Sequence, residues 1–488
     1  MKTAPFIVGM VVVWFGCVGG FVSSAPSGSE EVFRAGAATS NITPPLGEEV
    51  VGGFLPFPST DVHDELHARC LVLESGKTRL ALVVCDLLGM HRSVCEEATR
   101  RIEQMTGIPP SHVLLSATHT HSASSAIGGS PRRFAADLEL SEYQRFVARR
   151  IADGVQRAVH VLRPAEIGYG RVHAPEHVFN RRWFMKEGTM MANPFGKTTD
   201  RVKMNPPAGS PHLDRPAGPT DPEVCFFAVR EPGGPLISVY SAYSLHYVGG
   251  VGAGQISADY YGMYCEALKR LQATGEKESK FVALMANGTS GDVNNVNFVQ
   301  PRPSSPPYQQ MRRVAEDLAS KVNEGVSRLT WASTAVLGAR MREPGIAWRS
   351  IPEDLLNWAR ALEPNPLRAV PSKSDLSTIY AGRVQRLAQA TGPTKAAVQV
   401  FRIGEICIGT SPCETFAETG LEFKKRSPFA QSFMVELVNG YYGYLPTKQQ
   451  IEWGGYETWP GTNLLEPGAE EKILGTALEL AGELRASP

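Results

Sequence analysis

The sequence has no excess of charge of either sign. Lys and Arg total 49, as do Asp and Glu, so the formal net charge at pH 7 is zero. Nucleic-acid binding depends on clustered positive charge, and no basic stripe runs along the chain, so nucleic acid is not expected as a partner. The 488 residues are 42% hydrophobic and 20% charged, a composition typical of a globular protein rather than a disordered or fibrous one.

C-terminal to the first apolar segment the sequence contains no long apolar run, so no further transmembrane segment is expected. At the N-terminus, Lys2 precedes an apolar segment that is followed by the small residues Ser23, Ser24 and Ala25. This pattern predicts a signal peptide over residues 1–25 and a secreted or periplasmic protein. The alternative, a retained membrane anchor, is less favoured because the segment is short for a bilayer span.

Cysteine is sparse, and no Cys-x-x-Cys pair occurs. The seven cysteines beyond the predicted signal are Cys70, Cys85, Cys95, Cys225, Cys265, Cys407 and Cys413. They are too few for a disulfide scaffold, and we expect most to be small buried hydrophobic residues, with a Cys407–Cys413 pair left open. The sequence also lacks the G-x-S-x-G nucleophile elbow, which disfavours a serine hydrolase.

Strand-like and helix-like segments alternate along the chain. Two strand-like runs surround "ESGK" and predict a hairpin, and further strands are expected at 165–172, 224–229, 236–243 and 281–286, with helices near 259–274 and 308–328. This alternation predicts the α/β class, with layered mixed β-sheets flanked by helices. Because strand-like runs flank the Pro- and Gly-rich pieces, we expect one large catalytic domain over residues 26–488.

The stretch "VLLSATHTHSASSA" ends an apolar run with two histidines, His119 and His121. In an extended backbone alternate residues share a face, so both imidazoles are expected to point the same way. That arrangement suits one metal ligand beside one residue that orients substrate or moves a proton. The alternative is a polar strand end with two histidines that have no special role.

Three further polar residues follow apolar strand-like runs. His246 lies in "SVYSAYSLHYVGG", Glu414 in "ICIGTSPCETF" and Tyr441 in "FMVELVNGYYGY". Each signal is weak alone, but open α/β sheets place their sites at strand ends, so we expect the residues to converge at one rim of a sheet. Two nitrogens and one carboxylate oxygen suit a catalytic zinc ion with an open position for water.

These segments together resemble the neutral/alkaline non-lysosomal ceramidase family, from about Phe33 to Thr462. The resemblance rests on "GAATSNITPPLG", "SATHTHS", "FNRR", "SADYYG", "NGTSGDVNN", "SPCETF" and "NGYYGYLPT". It implies a single zinc ion held by His119, His246, Glu414 and Tyr441. It also implies that His121 lies near the scissile amide and that Arg181, in "FNRR", contacts the substrate.

The sequence departs from the family pattern at one position. Ceramidases read G-D-V-S-P-N, and their Ser has been proposed as the nucleophile, whereas "GDVNN" places Asn294 there. Asn cannot be acylated as Ser can, so either a metal-bound water is the nucleophile or the chemistry has changed, and Asn294 is expected to donate a hydrogen bond. We also expect the chain to end without the further C-terminal domain of typical ceramidases, which leaves the substrate open between lipid and smaller amides.

The sequence thus favours an exported zinc-dependent hydrolase that cleaves an N-acyl amide bond with metal-activated water. Zinc would polarise the carbonyl and lower the pKa of bound water from about 15.7 to roughly 7. Two alternatives remain: a zinc hydrolase of a glycoside, carbohydrate-linked or ester substrate, and a non-catalytic binding protein of the same fold. Asp64, Asp259 and Asp292 are candidates for supporting the site or, equally, for capping turns. The oligomeric state is not predicted.

Overall fold

Three groups of almost continuously buried strands form three main β-sheets. The computed structural model describes residues 1, 4–5, 9–10, 32–127, 139–273, 280–301, 304–362 and 376–487. Residues 32–488 form one compact unit, and the N-terminal unit, 1–31, is described at only five residues. The predicted signal peptide therefore lies almost wholly outside the described residues.

The first sheet contains the predicted hairpin, whose antiparallel strands are His67–Ser75 and Thr78–Cys85. In spatial order its strands are Val113–Ala117, Thr78–Cys85, His67–Ser75, Arg34–Asn41 and Arg163–Pro164. Helices Arg92–Thr106 and Glu142–His160 cover its outer face, where they pack on alternate strand residues such as Cys70 and Val72. The intervening Leu71 faces inward, as the two-residue period of a strand requires.

The second and third sheets repeat this plan. The strands of the second are Glu166–His173, Glu223–Arg230, Leu236–Tyr243 and Val282–Asn287, and those of the third are Leu337–Arg342, Val398–Ile403, Ile406–Thr410 and Gln431–Val435. Helices Asp259–Leu271 and Gln309–Val326 pack on the second sheet. Helices Ala417–Arg426 and Ala469–Ala486 pack on the third.

One core joins the inner faces of all three sheets. Leu82 from the first sheet, Phe227 and Tyr240 from the second, and Phe401 and Ile408 from the third belong to the same buried cluster. Each sheet is thus apolar on both faces, one against helices and one against this core. Such burial explains why their strands appear in the sequence as nearly continuous apolar runs.

Shorter elements connect these layers. The small sheets are Phe57–Pro58 with Glu49–Val51 and Ala123–Ser124; Asp61–Val62 with Gln255–Ile256; Phe179–Asn180 with Val293–Asn294; Val202–Met204 with Arg182–Met185 and Leu213–Pro216; and Glu414–Thr415 with Tyr444–Leu445. The remaining helices are Glu353–Ala361, Leu376–Ala388 and Lys448–Trp453, with 3-10 turns at Pro110–His112, Pro175–His177 and Tyr456–Thr458. No helix in the described ranges is both long and apolar enough to cross a membrane.

The structure confirms the predicted α/β class with layered mixed sheets and flanking helices. The strands expected at 224–229 and 236–243 are Glu223–Arg230 and Leu236–Tyr243. The seven cysteines beyond the N-terminal segment are buried free thiols, so Cys407 and Cys413 are not paired. The expectation of a single sheet rim was wrong, because the strands that lead to the candidate residues belong to three sheets.

A buried ion pair in the first sheet gives a test of the fold. Asp86 and Arg69 are 0% and 4% exposed and lie 2.5 Å apart. Asp86→Ala leaves the guanidinium buried without its partner, so we expect the free energy of unfolding in urea to fall by about 3–5 kcal/mol. Glu479→Ala, which breaks an exposed ion pair with Arg342, should cost less than about 1 kcal/mol. Equal losses in both variants would contradict this account.

Candidate metal centre

The four residues expected to bind metal lie together, although each follows a different strand. His119 follows Val113–Ala117, His246 follows Leu236–Tyr243, Glu414 follows Ile406–Thr410 and Tyr441 follows Gln431–Val435. His119 Nε2 and His246 Nε2 lie 3.2 and 3.8 Å from Glu414 Oε2. The Tyr441 hydroxyl donates a hydrogen bond of 2.5 Å to Glu414 Oε1. We call these four residues and His121 the His–Glu cluster.

His121 joins the cluster by a route that the sequence did not indicate. The strand ends at Ala117, and His119 has a left-handed backbone with φ 74°. The two histidines therefore meet through a turn and not through the alternation of an extended strand. Their Nε2 atoms lie 3.1 Å apart, and the His121 ring stacks on Tyr247 with 3.6 Å between centroids. By proximity alone, His121 belongs with the predicted ligands, since the three histidines form one compact group.

Backbone carbonyls fix the proton on the outer nitrogen of two histidine rings. His119 Nδ1 lies 2.7 Å from the Leu88 carbonyl, and His246 Nδ1 lies 3.2 Å from the Ser290 carbonyl. A carbonyl only accepts, so each Nδ1 carries the proton and donates. Each Nε2 is then left with a lone pair directed at the cluster, which is the tautomer that a metal ligand needs.

The electrostatics of the cluster keep one charge on the carboxylate. Burial raises the pKa of Glu414, but His119 and the Tyr441 and Tyr444 hydroxyls outweigh it and hold the pKa at about 2. Burial, Arg181 and His119 lower the pKa of His246 well below its usual value. Burial and His119 do the same for His121. At neutral pH Glu414 is therefore ionised and His121 and His246 are neutral, the forms in which carboxylates and imidazoles bind metal.

Two atoms of the cluster have no hydrogen-bond partner among the described residues. They are His246 Nε2 and Glu414 Oε2, both buried and directed at each other. A buried polar atom without a partner is costly, which indicates that something absent from the protein chain satisfies them. Two imidazole nitrogens with a carboxylate oxygen and a phenol oxygen suit zinc. The residues present therefore fit the metal that the sequence predicted.

A second layer of contacts, which sequence reasoning missed, supports His246. Glu436 is fully buried and accepts hydrogen bonds from the Asn287 amide and from the backbone N–H groups of Ser290 and Thr415. The Ser290 hydroxyl also bonds to it at 2.7 Å. Glu436 thus fixes the loop whose carbonyl orients His246. A single acidic residue inside the apolar run "FMVELV" was the sequence signal for it.

Arg181 lies between the short strands Phe179–Asn180 and Arg182–Met185, and, in addition to burial, its charge helps to lower the pKa of His246 in the cluster. It is 3% exposed, its Nε donates to Glu457 Oε1 at 2.9 Å, and its guanidinium lies 5.2 Å from the centre of the Tyr444 ring. Its Nη2 has no partner within the described part of the chain. Glu457 therefore fixes the Arg181 guanidinium, whose Nη2 group is left without an acceptor among the described residues. Glu457 is another buried acid that was not predicted from the sequence.

Asn294 is not brought to the cluster. Its amide donates to Asn205 at 2.6 Å and accepts from the Val296 N–H. Its described contacts include no member of the cluster. Asp259 accepts from the N–H groups of Val248, Gly249 and Tyr260, and Asp292 from that of Ala417. Asp64 accepts hydrogen bonds from the Ser257 hydroxyl and the Ala258 N–H. All three acids therefore stabilise loops.

A cavity of about 620 Å³ opens beside the cluster. His119, His121, Glu414 and Tyr441 line it together with Phe54, Leu55, Leu88, Ile127, Ile379 and Arg383. A volume of this size accommodates a small organic ligand. One face of helix Leu376–Ala388 forms part of the cavity wall.

Two glycines allow the backbone to approach the cluster. A Cβ on Gly52, which has φ 131°, would lie 2.7 Å from His121 Cβ, and one on Gly291 would lie 2.5 Å from the Glu414 carbonyl oxygen. Real side chains do not tolerate such distances. Gly52 in the Gly-Gly pair and Gly291 in the "GDV" stretch thus have a steric explanation.

The Gly-Gly pair gives a matched test. Gly52→Ala places a Cβ against His121 and forces an alanine into positive φ, so the free energy of unfolding should fall by about 1–3 kcal/mol in urea denaturation. At Gly53 the nearest atom would be 3.6 Å away, an ordinary contact. Gly53→Ala should therefore remain within about 0.5 kcal/mol of the unsubstituted protein. The steric explanation is wrong if Gly52→Ala is equally well tolerated.

Comparisons with known proteins identify the family of the chain and solved structures of similar fold. The family model described as neutral/alkaline non-lysosomal ceramidase, N-terminal, matches residues 33–305. No curated protein matches the chain. A crystal structure of neutral ceramidase from Pseudomonas aeruginosa is similar with a TM-score of 0.69 and 18% identity, covering 93% of this chain and 75% of that one. A ceramidase complexed with C2 has a TM-score of 0.70 with the same identity and coverage. The chain belongs to the neutral/alkaline non-lysosomal ceramidase family, a family of amide hydrolases.

Proposed function

We propose that the protein is an exported zinc-dependent hydrolase that cleaves an N-acyl amide bond, with residues 1–25 removed and 26–488 forming the catalytic domain. The observation that carries the proposal is the His–Glu cluster, in which lone-pair nitrogens of His119 and His246 face an ionised Glu414 oxygen. Membership of the ceramidase family supports the amide bond as the target. N-terminal sequencing of the mature protein tests the export part, which fails if Met1 or Lys2 is still present.

We assign His119, His246, Glu414 and Tyr441 as the zinc ligands. When bound, zinc would supply a Lewis acid and a site at which water becomes a nucleophile near neutral pH. The protein chain itself positions the ligand side chains. Leu88 and Ser290 direct the two imidazoles, and the Tyr441 hydroxyl, which lies on Glu414 Oε1, leaves Oε2 free to face them.

We propose that His121 transfers the proton from the attacking water to the leaving amine. Its pKa is lowered by burial, so the ring is neutral at pH 7, and it hydrogen-bonds to the backbone of Gly52. This leaves Nε2, on the cluster side, able to take a proton from the attacking water and return it to the leaving amine. Positioned acid–base groups of this kind contribute about 10²–10⁴-fold to a rate.

Arg181 is proposed to hold a polar or anionic part of the substrate. Its unpartnered Nη2 is the donor for this contact, and Glu457 prevents the guanidinium from turning away. Asn294 remains a proposed hydrogen-bond donor, although its described contacts are with Asn205 and Val296. Asn294→Ala tests that role, which would be discarded if kcat and KM do not change.

Metal content tests the ligand assignment. The purified protein should hold close to one zinc per chain by mass spectrometry of the metal. His119→Ala and Glu414→Ala should each reduce the zinc content to near zero with an unchanged circular dichroism spectrum, since each removes one of few ligands. His121→Ala should keep its zinc and lose about 10²-fold or more in turnover, because it would lack only the proton carrier.

His173→Ala is the matched control, because this side chain is 62% exposed. Its zinc content and turnover should match those of the unsubstituted protein. Full zinc occupancy in both His119→Ala and Glu414→Ala would refute the assignment. Loss of zinc from His121→Ala would make His121 a ligand.

Chelation separates the hydrolase from a non-catalytic binding protein, the alternative favoured by Asn294 at the position of the family serine. An N-acyl amide panel, with ester and glycoside panels beside it, should reveal amide turnover that stops after chelation and returns with added zinc. Each wall of the cavity is part of the folded chain, so chelation should leave the circular dichroism spectrum unchanged. A panel without amide turnover at full zinc occupancy would exclude the amidase.

A further inference from the structure

Helix Leu376–Ala388 contributes one part of the cavity lining. Helix Leu376–Ala388 places Ile379, Gly382 and Arg383 on the cavity side, as the three- and four-residue spacing of one helical face requires. Arg383 is one of two charged side chains that this helix contributes to the cavity, the other being Arg386, and it lines the same cavity as His119 and Tyr441. The side chain of Arg383 also interacts electrostatically with Tyr441.

Arg383 lies among aromatic rings and not among acids. Its guanidinium carbon is 5.1 Å from the centre of the Tyr380 ring and 5.6 Å from that of Phe54. It donates a long hydrogen bond of 3.5 Å to the Tyr380 hydroxyl and another to the Tyr456 side chain. These neighbours hold the guanidinium in place without neutralising its charge.

No carboxylate within the described ranges forms an ion pair with Arg383. A guanidinium has five N–H donors, and two neutral hydroxyls use only part of them. A partly buried charge without a counter-charge is unfavourable unless a ligand supplies one. The remaining donors of Arg383 are available to the cavity, in the fixed fork geometry that suits a carboxylate or phosphate.

The acidic residues of this cavity do not neutralise Arg383. Glu48 and Glu49 line the mouth and are exposed, so water and salt screen their charges. The charge of Glu414 is shared with Tyr441 and the histidines of the cluster. The cavity thus contains, besides the cluster proposed to act on the scissile bond, a guanidinium without a carboxylate partner among the described residues.

We propose that Arg383 is a specificity-determining residue that binds an anionic group of the substrate, so that the preferred substrates are N-acyl amides with a carboxylate or phosphate. The proposal rests on the proposed amide hydrolysis. The scissile amide lies at the His–Glu cluster, and the anionic group lies against the guanidinium of Arg383. A neutral amide of the same length lacks this second contact.

Steady-state kinetics on the zinc-loaded full chain tests the proposal. An N-acyl glycine and an N-acyl ethanolamine phosphate are compared with the neutral N-acyl glycinamide, all with the same acyl chain. The anionic substrates should have the higher kcat/KM, and Arg383→Gln should reduce that preference about 10- to 100-fold, the range for one charge-assisted hydrogen-bonded contact. Most of the change should appear in KM.

Two further variants control the result. Arg383→Lys keeps the charge but not the fork, so it should recover part of the preference for phosphate and less of that for carboxylate. Arg360→Gln alters an arginine that forms an exposed ion pair with Glu353 and does not line this cavity, so it should leave the preference unchanged. An equal loss in Arg360→Gln, or a preference that survives Arg383→Gln, would overturn the assignment. Circular dichroism verifies that each variant is folded.

Binding separates this inference from the proposed reaction. Calorimetric titration of the metal-free full chain with N-acyl glycine should show binding that weakens at least tenfold in Arg383→Gln. If no amide is hydrolysed but this dependence is found, the hydrolase proposal fails and the anion site stands. If amides are hydrolysed with no preference for anionic ones and no dependence on Arg383, the anion site fails and the hydrolase stands.

Discussion

The structure depends on one ionised carboxylate, that of Glu414, held out of water between a phenol and two imidazoles. Tyr441 occupies one carboxylate oxygen, and the other faces His119 and His246. Burying a charge is costly unless other groups compensate it. The low pKa of Glu414, about 2, indicates that they do so. The Leu88 and Ser290 carbonyls orient the two imidazoles toward this carboxylate. Glu436 in turn fixes Ser290 by a hydrogen bond.

Three sheets packed on one core provide the rigidity for such a site. Each ligand extends from the end of a strand whose two faces are both buried, so small shifts of the ligands are resisted by the packing of whole layers. By contrast, the cavity wall formed by helix Leu376–Ala388 does not belong to any sheet. On the two proposals, the chemistry would be located at the ends of sheet strands and substrate selection on helix Leu376–Ala388, a division common in folds that support several activities.

Much of this could be predicted from the sequence, because the signals were local. Apolar runs indicated the strands, and a polar residue at the end of a run marked His119, His246, Glu414 and Tyr441. What could not be predicted depends on contacts between distant segments. Glu457 and Arg383 have no local pattern, and the left-handed turn at His119 is set by its bond to the Leu87 carbonyl. The sequence also could not show that the strands divide among three sheets.

The proposed zinc ligands lie far apart along the chain. The segment matched by the family model, 33–305, contains His119 and His246 but neither Glu414 nor Tyr441. On the proposed assignment, a chain that stopped after that segment would have the imidazoles of His119, His121 and His246 but neither of the two oxygen ligands. The complete zinc site would then form only after the third sheet has closed, so zinc retained by the protein would indicate that folding is complete.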